Sequence, residues 1–136
     1  SVATYFSASR HCRFMFEPLG QGILDRIAAT VHSRGLRFGF GGIARLDEGL
    51  LPGRDVLAEH LRLGSSAVIL SRTFHRTVGN GSVLDELERE VSALRVAEQA
   101  LSARASQQVQ ADKTRIACKV GSIAMSTAPV TCYGIK

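Results

Sequence analysis

Apolar and polar positions follow two different rhythms along this chain, and the change comes near residue 82. "VATYFSAS" and "RFMFEP" are short aromatic and β-branched runs, the pattern of strands, with Pro18 closing the second. In "GQGILDRIAATVHSRG", Ile23, Ile27 and Val31 recur four residues apart with Leu24 alongside. That spacing predicts an amphipathic helix ended by Gly35, a residue suited to the left-handed position after a helix. "LRFGFGGIA" predicts a further strand. "GRDVLAEHLRLG" places Val56, Leu57, His60, Leu61 and Leu63 on the apolar side of a second helix, ended by Gly64. "SAVILS" is a continuous apolar run, the kind of strand buried on both faces of a parallel sheet.

Strand, helix, strand, helix, strand with short glycine-closed connections is the βαβαβ pattern of an α/β architecture, with parallel strands joined by crossovers. After "VGNGS", a flexible turn, Ser82 with Asp85 three residues on opens a helix in the manner of a capping box. Leu84, Leu87, Val91, Leu94, Leu101 and Ala105 then follow a heptad-like spacing to about residue 112, interrupted by Glu98 and Gln108. Such a helix either packs on its own domain or mediates association. The expected organisation is an α/β core over 1–81, a long helix over 82–112 and a tail over 113–136 that either supplies an edge strand or stays loosely ordered.

At 136 residues the chain has room for one ordinary domain, and its composition, 45% apolar and 21% charged, is that of a folded protein. Its longest apolar runs fall far short of a membrane span. Cys12, Cys118 and Cys132 make an odd set without C-x-x-C spacing, which points to a reducing compartment and a cytoplasmic protein. "RHCR" puts His11 beside Cys12, but neighbours on a strand face opposite ways, so a catalytic thiol there is disfavoured. The net charge of +5 resides mainly in residues 1–81, where ten arginines face six acids. The arginines stand singly and not in clusters, which disfavours nucleic acid and suits a small anionic substrate or plain solubility.

The chemistry-bearing stretch is "LRFGFGGIARLDEGLLPG", residues 36 to 53, with five glycines. In α/β proteins ligands bind beyond the carboxyl ends of the strands. Gly41 and Gly42 lie at one such end with Arg45 just beyond, and Ser71 and Arg72 lie at the end of the next strand. Backbone amides, a hydroxyl and guanidinium forks suit phosphate or carboxylate. The plainer alternative is that the glycines serve only close packing. Glu17, at the end of "FMFEP", is the acid/base candidate. With Asp47 and Glu48 it is also the candidate set for magnesium or manganese, against which stands a solvated turn for the pair. His75, near a strand end, is the better placed histidine to take part, ahead of His60 within a helix.

"FGFGGIAR" followed by "HLRLGSSAVILSRTF" resembles the last two strand–helix units of a TIM barrel, in the style of phosphate- or carboxylate-handling aldolases and lyases. The resemblance covers about residues 12–76 and implies that Gly41, Gly42, Ser71 and Arg72 bind an anion. A full barrel needs about 250 residues, so this chain holds only part of one or forms an open sheet. That points to a homo-oligomer or a partner chain that covers it. No lysine precedes residue 113, which excludes a Schiff-base aldolase on these strands. Two functions follow as expectations: a lyase-like α/β enzyme on a small phosphorylated or carboxylated substrate, or a non-enzymatic assembly module built on the 82–112 helix.

Overall fold

In the computed structural model, which describes residues 12–77, 79 and 81–127, the chain is α/β and mostly helical. The order is α1 (Glu17–Gly20), α2 (Ile23–Ser33), β1 (Gly39–Ile43), α3 (Gly53–Arg62), β2 (Ala67–Leu70), a 3-10 turn (Arg72–His75), α4 (Val83–Ser102) and α5 (Ser106–Ser126). β1 and β2 form a two-stranded parallel sheet with Phe40 opposite Val68 and Ile43 opposite Leu70, and β1 carries one extra residue between those pairs. A single βαβ unit is therefore present among the described residues, not a barrel.

Helices α2 and α3 end in the same way. After α2 the Gly35 amide bonds the His32 carbonyl and the Leu36 amide bonds that of Val31. After α3 the Gly64 amide bonds Leu61 and the Ser65 amide bonds His60. Both are Schellman ends with glycine in the left-handed conformation, and each turns the chain into the strand that follows. The core sits between the sheet and the helices: Leu24, Phe38, Phe40, Ile43, Val56 and Phe74 are all buried. α5 packs on α1 and α3, while α4 packs on α3 and the 3-10 turn.

The structure departs from the expected pattern in four places. "RFMFEP" is not a strand: the Glu17 carboxylate accepts the backbone N–H groups of Arg13 and Phe14 at 2.6 and 2.8 Å. That closes a turn and starts α1, with Pro18 in its first turn. "VATYFSAS" lies outside the described residues. β2 is not buried on both faces; Ala67, Val68 and Ile69 are exposed and Leu70 is half-buried. The helix expected over 82–112 is two helices that break at Ala103–Ala105. Arg104 fixes the break, its guanidinium reaching the Leu101 carbonyl, Asp112 and the Ala58 carbonyl of α3. Gln108, which interrupts the heptad seam, instead caps the second helix by accepting the Ala105 N–H at 3.1 Å. The expected edge strand beyond residue 113 is the continuation of α5, with Ile116, Val120 and Ala124 buried at four-residue spacing; residues 128–136 lie outside the described set.

Ion pairs tie α5 to the rest. Asp55 on α3 takes Arg115 and Lys119 from α5 at 2.8 and 3.1 Å. Asp25 on α2 takes Arg62 from α3 and Lys113 from α5 at 2.6 and 2.9 Å. Burial pushes both aspartates up, but the hydrogen bonds and charges of those cations outweigh it and hold both below the ordinary carboxylate value.

Candidate functional site

The carboxyl ends of β1 and β2 meet as the sequence anticipates. The Ser71 amide donates to the Ile43 carbonyl at 2.8 Å, and the Arg45 amide donates to Thr73 Oγ1 at 3.1 Å. Arg45 and Ser71 are thus drawn together through Thr73. Both, however, are already engaged. Ser71 Oγ caps the 3-10 turn at the Thr73 amide and shares a hydrogen with Thr73 Oγ1 at 2.9 Å. Arg45 is only 7% exposed, and its guanidinium donates to Glu86 of α4 at 3.0 Å and to the Arg76 carbonyl at 2.6 Å. This is a buried ion pair that locks the strand-end loop to α4, and one of its atoms, Nε, has no partner.

The glycines answer to packing. A Cβ at Gly39 would lie 2.7 Å from the Ala67 carbonyl oxygen, so β2 can approach β1 only beside glycine there. Gly41 is buried and Gly42 takes φ +83°, beside the Met15 methyl. Arg72 and His75 are exposed on the 3-10 turn. Asp47 is exposed, 4.0 Å from Arg54, and Glu48 pairs with Arg76. Glu17 is held at the start of α1 by its two backbone amides. Among the described residues no group of three His, Cys, Asp or Glu side chains gathers to hold a metal ion.

The better-formed concavity lies elsewhere, on the face of the sheet covered by α3 and α4. It has a volume of about 370 Å³, within the ordinary range for small-molecule sites. Leu57 and Leu61 of α3, Val68 and Leu70 of β2, and Val91 and Leu94 of α4 give it an apolar wall. Arg95 and Glu98, paired with each other at 2.7 Å, also line it.

His60 forms part of this wall, although its place within a helix had ranked it behind His75. It is 3% exposed and stacks on Phe40 with ring centroids 3.7 Å apart. Its Nδ1 lies 2.8 Å from Ser65 Oγ, and its Nε2 is buried without a hydrogen-bond partner. Burial lowers its pKa from 6.5 to about 4, so the ring is neutral at physiological pH. The signal for this was present in the sequence, since His60 shares the apolar side of its helix with Val56, Leu57 and Leu61.

Comparison with known protein families, curated proteins and solved structures finds no match to this chain. Among the described residues no helix is long and apolar enough to cross a membrane.

Proposed function

We propose that the chain is a non-enzymatic assembly module that joins a second copy of itself through β2. The observation that carries this reading is the exposure of "AVIL", the only strand made wholly of apolar side chains among the described residues, with Ile69 65% exposed. Parallel strands are ordinarily covered on both faces. Burying an isoleucine of this kind is worth about 2 kcal/mol.

Among the described residues β2 pairs only with β1, and none of them pairs with its other edge. Soluble proteins guard such edges with lysine, proline or a bulge, and β2 has none; the one irregularity lies in β1. Two copies related by a two-fold axis lay β2 against β2 in antiparallel register, a self-complementary contact. The seam of the 82–112 segment serves mainly within the chain, since Leu94 is buried in the core and Leu87 packs against it. The association surface therefore centres on the sheet. This reading is preferred to anion-handling catalysis because Arg45, Ser71 and Glu17 each bond to the protein itself.

Sedimentation equilibrium tests it. The chain is expected to be dimeric at micromolar concentration, and Ile69→Lys is expected to be monomeric with helical content intact. A wild-type chain that stays monomeric up to high-micromolar concentration overturns the reading.

A further inference from the structure

The groove has one charged corner. Of the residues that line it, only Arg95 and Glu98 are charged at neutral pH, and both come from α4. They follow Val91 at four- and seven-residue spacing, so all three stand on one side of that helix. Val91 is half-buried and Leu94 buried, whereas the Arg95 side chain is 74% exposed and that of Glu98 37%. The charged pair therefore marks the solvent mouth, and the aliphatic wall lies deeper. One hydrogen bond joins the pair, from Arg95 Nη1 to Glu98 Oε2 at 2.7 Å. Among the described residues nothing claims Arg95 Nε and Nη2 or Glu98 Oε1, and none of these is a buried orphan. Ser65 and Ser66, which also line the groove, have given their hydroxyl protons to the Ala67 and Phe38 carbonyls at 2.9 and 3.2 Å.

We propose that this groove binds a free aliphatic α-amino acid, its side chain against the wall, its carboxylate on Arg95 and its ammonium on Glu98. Charge complementarity selects this class. A carboxylate or an amine alone meets one attractive and one repulsive group a single hydrogen bond apart, so the two effects largely cancel. An α-amino acid carries both charges on one carbon and offers each to its opposite. The free Nε–Nη2 edge of a guanidinium is one that takes a carboxylate through two parallel N–H bonds. The aliphatic wall from α3, β2 and α4 selects the side chain, and a volume of about 370 Å³, at the small end of ligand sites, suits one residue-sized body. Exposed charges contribute modestly, so the affinity is in the millimolar range.

The test is a titration of the full chain at neutral pH and low salt, followed by the backbone amide resonances. L-leucine is compared with leucine amide, which lacks the carboxylate, with 4-methylpentanoate, which lacks the ammonium, and with serine, which lacks the aliphatic body. L-leucine is expected to bind saturably and to move the resonances of Val91, Arg95 and Glu98. Each of the other three is expected to bind about fivefold more weakly. Arg95→Gln, a change at an exposed side chain, is expected to bring leucine down to the level of leucine amide. No saturable binding of leucine, or equal binding of any of the three comparison molecules, overturns the proposal. So do shifts confined to residues outside the groove, and so does an unchanged leucine affinity in Arg95→Gln. The wild-type comparisons decide the matter even where the variant folds poorly.

Discussion

His60 sets a specific pH dependence of stability. The ring is neutral and desolvated in the fold, with a pKa of about 4, and regains an ordinary value near 6.5 when the chain unfolds. Below about pH 6.5 the unfolded chain therefore binds a proton that the folded chain refuses, and stability must fall as pH falls. The loss begins near pH 6.5 and is complete near the folded value of about 4. At about 1.4 kcal/mol for each tenfold difference in proton affinity, it amounts to roughly 3 kcal/mol over the whole window and to about 2 kcal/mol by pH 5. That is a large share of a small domain's total stability. Asp25, Asp55 and Asp112 add their own acid sensitivity. Their pKa values lie below the ordinary 3.8, so their contribution is present above that value and is lost further into acid. The assay is urea unfolding at a series of pH values between 8 and 5 for the wild type and His60→Gln, read by far-ultraviolet circular dichroism. The wild type is expected to lose about 2 kcal/mol more than the variant across that range. Parallel pH profiles for the two chains would refute the reasoning, because they would show that His60 takes up its proton equally in both states.

The buried pair at the strand ends predicts an asymmetry. Glu86→Gln leaves the buried Arg45 guanidinium with only Glu90, 3.9 Å away, as a carboxylate partner and is expected to cost about 2 kcal/mol in urea unfolding. Arg45→Met with Glu86→Leu, which removes both charges, is expected to cost clearly less. Gly53→Ala is expected to disrupt the fold, since its Cβ would collide with the carbonyl oxygens of Ala44 and Arg45, and loss of a cooperative melt would show it. Asp55→Asn is expected to cost about 1 kcal/mol, an amount that shrinks in high salt, because its partners Arg115 and Lys119 are themselves partly exposed. Millimolar phosphate is expected to leave the melting temperature of both wild type and Arg72→Ala unchanged, because the Ser71 hydroxyl is engaged and the Arg45 guanidinium is buried against Glu86.

Both longer helices of the α/β half were legible because their signals are local: apolar residues at four-residue spacing, then a glycine whose left-handed turn closes a Schellman end. β1 and β2 were legible as apolar runs, and their pairing followed from the crossover between them. What escaped the sequence was decided by single polar contacts over a distance. Glu17 captures two backbone amides and turns an aromatic run from strand into helix start. Arg104 reaches back to α3, and Gln108 caps forward, splitting one seam into two helices. Nothing in residue type distinguishes those side chains from solvated ones. The strand-end site was misread for the same reason. Arg45 and Ser71 stand where ligand groups stand in α/β proteins, but Glu86, forty-one residues further along the chain, claims the guanidinium.

The same glycines that suggested an anion cradle explain why β2 is left open. Gly39 brings the β2 backbone close and presents no side chain of its own. On the face that holds Ile69, β1 therefore offers no large neighbour to cover it, whereas on the opposite face Phe40 stands beside Val68. The Ile69 face is a flat apolar side lined by glycine and alanine. A flat side of that kind suits another flat β surface better than a small molecule, because little side-chain relief is available to enclose one.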